Sequence, residues 1–110
     1  MFNENLTCLG LSEKEAMLYL LLLRNGPAPA TLLAKRLGIK RVSLYPVLSA
    51  LLERGLISFE QTKFGRKYLP HDPECLLDFL EEERAELIHR MDLAKSCILQ
   101  LHEFSVWQKV

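Results

Sequence analysis

The side chains in this sequence that could do chemistry are mainly cations and hydroxyls, and the chemistry they suit is recognition rather than bond making. Lys40 and Arg41 are adjacent and are followed by Val42, Ser43, Tyr45, Pro46 and Ser49. Leu44, Leu48, Leu51 and Leu52 recur through the same stretch at helical spacing, so the polar set projects mostly from the opposite side of one helix. Cations at the start of such a helix can hydrogen-bond base edges, and its first amides can hold a phosphate. Ser43 and Ser49 can bond either, while Val42 and Pro46 suit thymine methyl groups. Tyr45 fits two roles, a groove contact or a packed ring with its hydroxyl at the rim. A second cationic set, Lys63, Arg66 and Lys67, brackets a glycine and suits backbone phosphates or a minor groove. Thr31 and Lys35 are further phosphate candidates.

Other chemistries lack their residues. His71, His89 and His102 have no metal-ligand spacing to a cysteine or carboxylate. Neither a phosphate-binding glycine loop nor a serine nucleophile elbow is present, so no metal, no cofactor and no enzyme is expected. Cys8, Cys75 and Cys97 are odd in number and far apart, which reads as reduced, buried or inert thiols in a cytoplasmic protein. The longest apolar run, Ala16 to Leu23, falls well short of the roughly 20 residues that span a bilayer, and no secretory signal is expected.

At 110 residues, 49% hydrophobic and 25% charged, the chain has the size of one ordinary domain. Its formal net charge of zero argues by itself against a nucleic-acid partner. The charges are segregated, however. Residues 1–70 hold ten basic and five acidic side chains, and residues 71–110 hold four basic and nine acidic ones, so the two parts carry +5 and −5. Such asymmetry points to two surfaces with different partners.

The elements that must position these groups can be read in order. Ser12 with Glu15 forms a capping box that opens a helix closed by Asn25, Gly26 and Pro27. A short helix with Pro29 in its first turn ends at Gly38, and a turn through Ile39 and Lys40 leads to a third helix over 41–54. Pro46 is expected to make the start of that helix irregular. Strand-like runs at 56–61 and 67–69 flank residues 62–66, a hairpin with a basic tip. After the linker 70–73, neither glycine nor proline occurs, which predicts one long helix. Leu77, Leu80, Arg84, Leu87, Met91, Ala94, Ile98 and Leu101 follow steps of three and four, a heptad stripe with one polar member. That stripe suits pairing with a second copy, and packing on the chain's own body or in a larger bundle is the alternative.

The expected fold is therefore mainly α with a small β-hairpin: a winged helix-turn-helix over 1–72 followed by a long amphipathic helix over 73–110. Residues 9–57, LGLSEKEAMLYLLLLRNGPAPATLLAKRLGIKRVSLYPVLSALLERGLI, resemble the N-terminal domain of the TrmB family of prokaryotic regulators. Leu9, Gly10, Leu11, Glu15 and Ala16 match its opening, Gly26 and Pro27 its first turn, and Tyr45, Leu48, Leu51, Gly55 and Leu56 its third helix. Residues 44–57 are also similar to the recognition helix of PadR regulators. The resemblance covers about residues 9–73 and implies a homodimer that binds double-stranded DNA and regulates transcription. Val42, Ser43 and Pro46 stand where the family often carries polar or basic residues. No residue pattern names an effector. The competing reading is a winged-helix module that binds protein rather than DNA, which the zero net charge and apolar reading face would suit.

Overall fold

A computed structural model describes residues 2–107; Met1 and residues 108–110, the outer ends of the two expected segments, lie outside the described residues. The chain divides after Phe79 into two compact units. The first contains helices α1 (Phe2–Cys8), α2 (Glu13–Asn25), α3 (Ala30–Leu37) and α4 (Arg41–Glu53). It also contains strands β1 (Ala28–Pro29), β2 (Ile57–Thr62) and β3 (Gly65–Pro70), and the start of α5 (Cys75–Phe104). This is the winged helix-turn-helix, and the long C-terminal helix follows it.

Local chemistry sets most of the element ends. The Glu15 amide donates to Ser12 Oγ at 3.1 Å and the Ser12 amide donates to Glu15 Oε1 at 2.7 Å, so the capping box closes in both directions. Gly38 ends α3 in the left-handed region at φ 70°, where its amide reaches Ala34 and Lys35 carbonyls. Helix α4 runs on through Pro46. The amides of Ser43 and Leu44 both bond the Lys40 carbonyl, at 3.0 and 3.2 Å, which anchors the turn ahead of the proline. Only the Val42 carbonyl loses its helical donor, and Val42 is 78% exposed, so water can serve it.

The sheet has the order β1-β3-β2, antiparallel throughout. Sequence reading missed α1 and β1. Pro29, expected in the first turn of α3, instead pairs with Lys67 in β1 and precedes the helix with φ −78° and ψ 162°. The ring's fixed φ suits either role, and the pairing to β3 decides between them. The hairpin turn is also tighter than expected, with Lys63 and Phe64 alone between the strands.

One core joins these elements. Tyr19, Leu22, Leu33, Leu44, Leu48, Leu51 and Leu56 are all buried. The Tyr19 hydroxyl donates to the His71 carbonyl at 3.1 Å and lies 3.6 Å from Cys75 Sγ, where burial raises the pKa of both side chains above their ordinary values. Arg54 Nη1 meets the buried Glu15 carboxylate at 2.7 Å, and its guanidinium lies 5.4 Å from the Phe79 ring centre. One side chain thus ties the start of α2 to the end of α4. Of the three thiols expected to be buried or inert, Cys8 and Cys97 are exposed and Cys75 is half-buried.

The second unit begins at Leu80 and holds the rest of α5, which starts at Cys75 and ends at Phe104 rather than filling the expected 73–110. Leu87, Met91, Ile98 and Leu101 lie between 50% and 61% exposed along it. Arg84 in the stripe contacts Glu81 one turn back at 3.7 Å. No described helix is long and apolar enough to cross a membrane.

Candidate nucleic-acid interface

Helix α4 presents two exposed lines of side chains, one polar and one apolar. Arg41, Tyr45 and Ser49 follow one another at steps of four, so they share a line. Val42 and Pro46 form a second line, turned about 100° from the first. Ser49 borders both, Ser43 lies beyond the second line, and Lys40 precedes the helix as its N-cap. All seven are exposed. The Arg41 Nε–H donates to the Tyr45 hydroxyl at 2.9 Å. Tyr45 is 41% exposed, with its hydroxyl held by its neighbour.

The first line faces the wing. Thr31 from α3, Arg41, Tyr45 and Ser49 from α4, and Phe64 and Arg66 from the wing line one open cleft of about 400 Å³. Lys35 lies one turn beyond Thr31 on an exposed part of α3. Among the described residues, none of Lys35, Lys40, Arg41, Lys63, Arg66 and Lys67 is ion-paired with a carboxylate. Their charges remain available to an external anion.

Lys63, Arg66 and Lys67 do not form the single basic tip that the sequence suggested. Strand residues alternate between faces, and the register sets Gln61 opposite Arg66 and Phe59 opposite Tyr68. Arg66 therefore shares a face with the aromatic rings, and its guanidinium lies 4.0 Å from the Phe59 ring centre, a close cation–π contact. Lys67 takes the other face, opposite Glu60. Lys63 occupies the turn. The expected turn over 62–66 held Arg66, whereas β3 begins at Gly65, so Arg66 and Lys67 are successive strand residues and alternate between faces.

Sequence reading also passed over Phe64, which is 97% exposed at the tip of the wing. Thr62 holds its turn, accepting from the Phe64 amide at 3.2 Å and donating to the Gly65 carbonyl at 2.6 Å. The available signal was a lone aromatic between Lys63 and Gly65 in a short turn, where no core can be reached.

This arrangement offers cations, hydroxyls and the exposed rings of Tyr45 and Phe64 around a cleft, and among the described residues no cluster of three metal-ligating side chains. Comparisons with known proteins point the same way. Residues 6–74 match the family described as sugar-specific transcriptional regulator TrmB. The chain is 35% identical over 85 residues to the HTH-type sugar sensing transcriptional regulator TrmBL1 of Pyrococcus furiosus. That alignment covers 77% of this chain and 25% of the relative, so the chain spans about a quarter of the length of the curated protein it matches. Two solved structures share the fold. ST1889 from Sulfolobus tokodaii is 20% identical with a TM-score of 0.56, covering 86% of this chain and 99% of that one. YusO from Bacillus subtilis is 14% identical with a TM-score of 0.59, covering 94% and 83%. The helix-turn-helix with its wing and the match over residues 6–74 together establish that this chain belongs to the TrmB family of transcriptional regulators.

Proposed function

We propose that this protein is a cytoplasmic, homodimeric DNA-binding regulator of transcription, with residues 1–72 as the DNA-binding body and residues 73–110 as the dimer helix. The observation that carries this reading is the set of cations free of carboxylate partners around the α4–wing cleft in a chain of regulator family. Lys40 and Arg41 reach base edges or phosphates from the start of α4. Val42 and Pro46 meet thymine methyls, Ser43 and Ser49 bond bases or phosphates, and Tyr45 contacts the groove with Arg41. Thr31, Lys35, Lys63, Arg66 and Lys67 contact the backbone. Leu77, Leu80, Arg84, Leu87, Met91, Ala94, Ile98 and Leu101 form the dimer seam, so that two copies read half-sites about one helical turn apart on a roughly palindromic operator.

Fluorescence anisotropy of the full chain with a generic duplex tests this. About four phosphate contacts predict that affinity falls roughly 100-fold between about 50 and 200 mM salt. Replacing Lys63, Arg66 and Lys67 together with Ala weakens binding to all sequences alike and flattens that salt dependence. Unchanged affinity removes the wing from the interface. Absence of binding at the lower salt overturns the DNA reading in favour of a protein partner.

A further inference from the structure

The charges and side-chain sizes along α5 specify more than the existence of a seam. The steps of the stripe assign Leu77, Arg84, Met91 and Ile98 to the a positions of the heptad, and Leu80, Leu87, Ala94 and Leu101 to the d positions. Glu81, Ile88 and Lys95 then flank one side of the seam, and Glu83 and Arg90 the other. Ile88, like the stripe itself, is about half exposed. Residues 78–86 carry five carboxylates and one guanidinium, whereas residues 92–100 carry only Asp92 and Lys95.

In a parallel, in-register pair each a residue meets its own counterpart. Arg84 would face Arg84 in the seam, the acidic segment would lie along its copy, and Arg90 would flank Lys95. Each of these contacts sets like charges together. We propose that α5 pairs instead with α5 of a second copy in antiparallel orientation, crossing at His89. This deepens the homodimer reading above and rests on it.

That crossing matches the stripe to itself from end to end. Leu77 meets Leu101, Leu80 meets Ile98, and Leu87 meets Met91. The long Arg84 falls opposite the small Ala94, whose missing volume gives the stem of the arginine room to turn its charged end outward. In antiparallel pairs like flanking positions face each other, so Ile88 meets Ile88 at the crossing point and Glu81 meets Lys95 twice. The acidic segment lies along the nearly neutral one. The single like-charge contact is Arg90 with Arg90 on the rim, where Glu86 stands one turn away on the same helix.

Sedimentation equilibrium on the full chain separates the arrangements by the sign of one effect. In the antiparallel pair Lys95→Glu turns two ion pairs into two repulsions and weakens the dimer about tenfold, and adding Glu81→Lys restores it. In the parallel pair Lys95→Glu would face Arg90 and tighten the dimer. Tightening, or no change, overturns the proposal, while a wild-type chain that stays monomeric at every concentration overturns the homodimer reading itself. Spin labels give an independent readout, placed singly at Glu82→Cys, His89→Cys and Glu103→Cys with Cys8, Cys75 and Cys97 replaced by Ser. The antiparallel crossing gives a short distance at residue 89 and axial separations of roughly 20 Å at 82 and 40 Å at 103. Equal distances at all three positions overturn it.

Discussion

Leu44, Leu48 and Leu51 in α4 and Leu87, Met91 and Ile98 in α5 recur at similar helical spacing, yet the first three are at most 1% exposed and the second three are 50% to 52% exposed. The difference lies in what surrounds each helix. Helix α4 is in contact with α2, α3 and β2, so its apolar line is covered from several directions. Among the described residues, the second unit holds no helix or strand besides α5, so its apolar line has no second element there to cover it. Apolar residues at this spacing are thus found both on a covered helix and on an open one. In this molecule the spacing served internal burial in one region and left an open face in the other.

Substitutions can break or sharpen this contrast. The largest effect is expected in the covered region, where Leu48→Ala should lower the stability of the first unit by about 2–5 kcal/mol through lost burial and a residual cavity. Leu93→Ala, on the outward side of α5, should change it by less than about 0.5 kcal/mol. Thermal denaturation of both variants checks the pair, and comparable losses would mean that α5 is covered on more than its stripe. Next comes Arg54→Ala. It strands the buried Glu15 carboxylate, and because Arg54 is about one-third exposed the expected loss is roughly 1–3 kcal/mol, read as a lower urea midpoint. No loss would show that water satisfies Glu15 as well as the guanidinium does. The mildest contrast is kinetic. Burial and a raised pKa should make Cys75 react with iodoacetamide more slowly than the exposed Cys8 and Cys97 at neutral pH, followed by mass spectrometry of the modified peptides. Equal rates would mean that the Tyr19–Cys75 corner opens readily.

Legibility followed the range of the interactions. The capping box at Ser12 and Glu15, the glycine stops at Gly26, Gly38 and Gly55, and the wing strands were all readable because each depends on neighbours a few residues away. Helix α1 was missed because, in so short a segment, Leu6 is its only buried residue and the cover for it comes from tertiary packing. Strand β1 was missed because two residues become a strand only by pairing with β3, far along the chain. In the candidate site the residue types were legible, but their grouping was not. Arg41, Tyr45, Ser49 and Arg66 come together across the cleft, while Lys67 turns to the opposite face of the sheet.

The sequence by itself determined the order of helices and wing, the cations at the start of α4 and in the hairpin, and the unbroken C-terminal helix. Capping, helical periodicity and strand alternation are local, so the residues that cause them are close together in the chain. Only the tertiary structure decided that Arg54 reaches the Glu15 carboxylate 39 residues away, that Arg66 lies against Phe59, and that Phe64 stands bare at the wing tip. Those outcomes depend on which surfaces meet when the core closes, and chain spacing alone carries no record of that meeting.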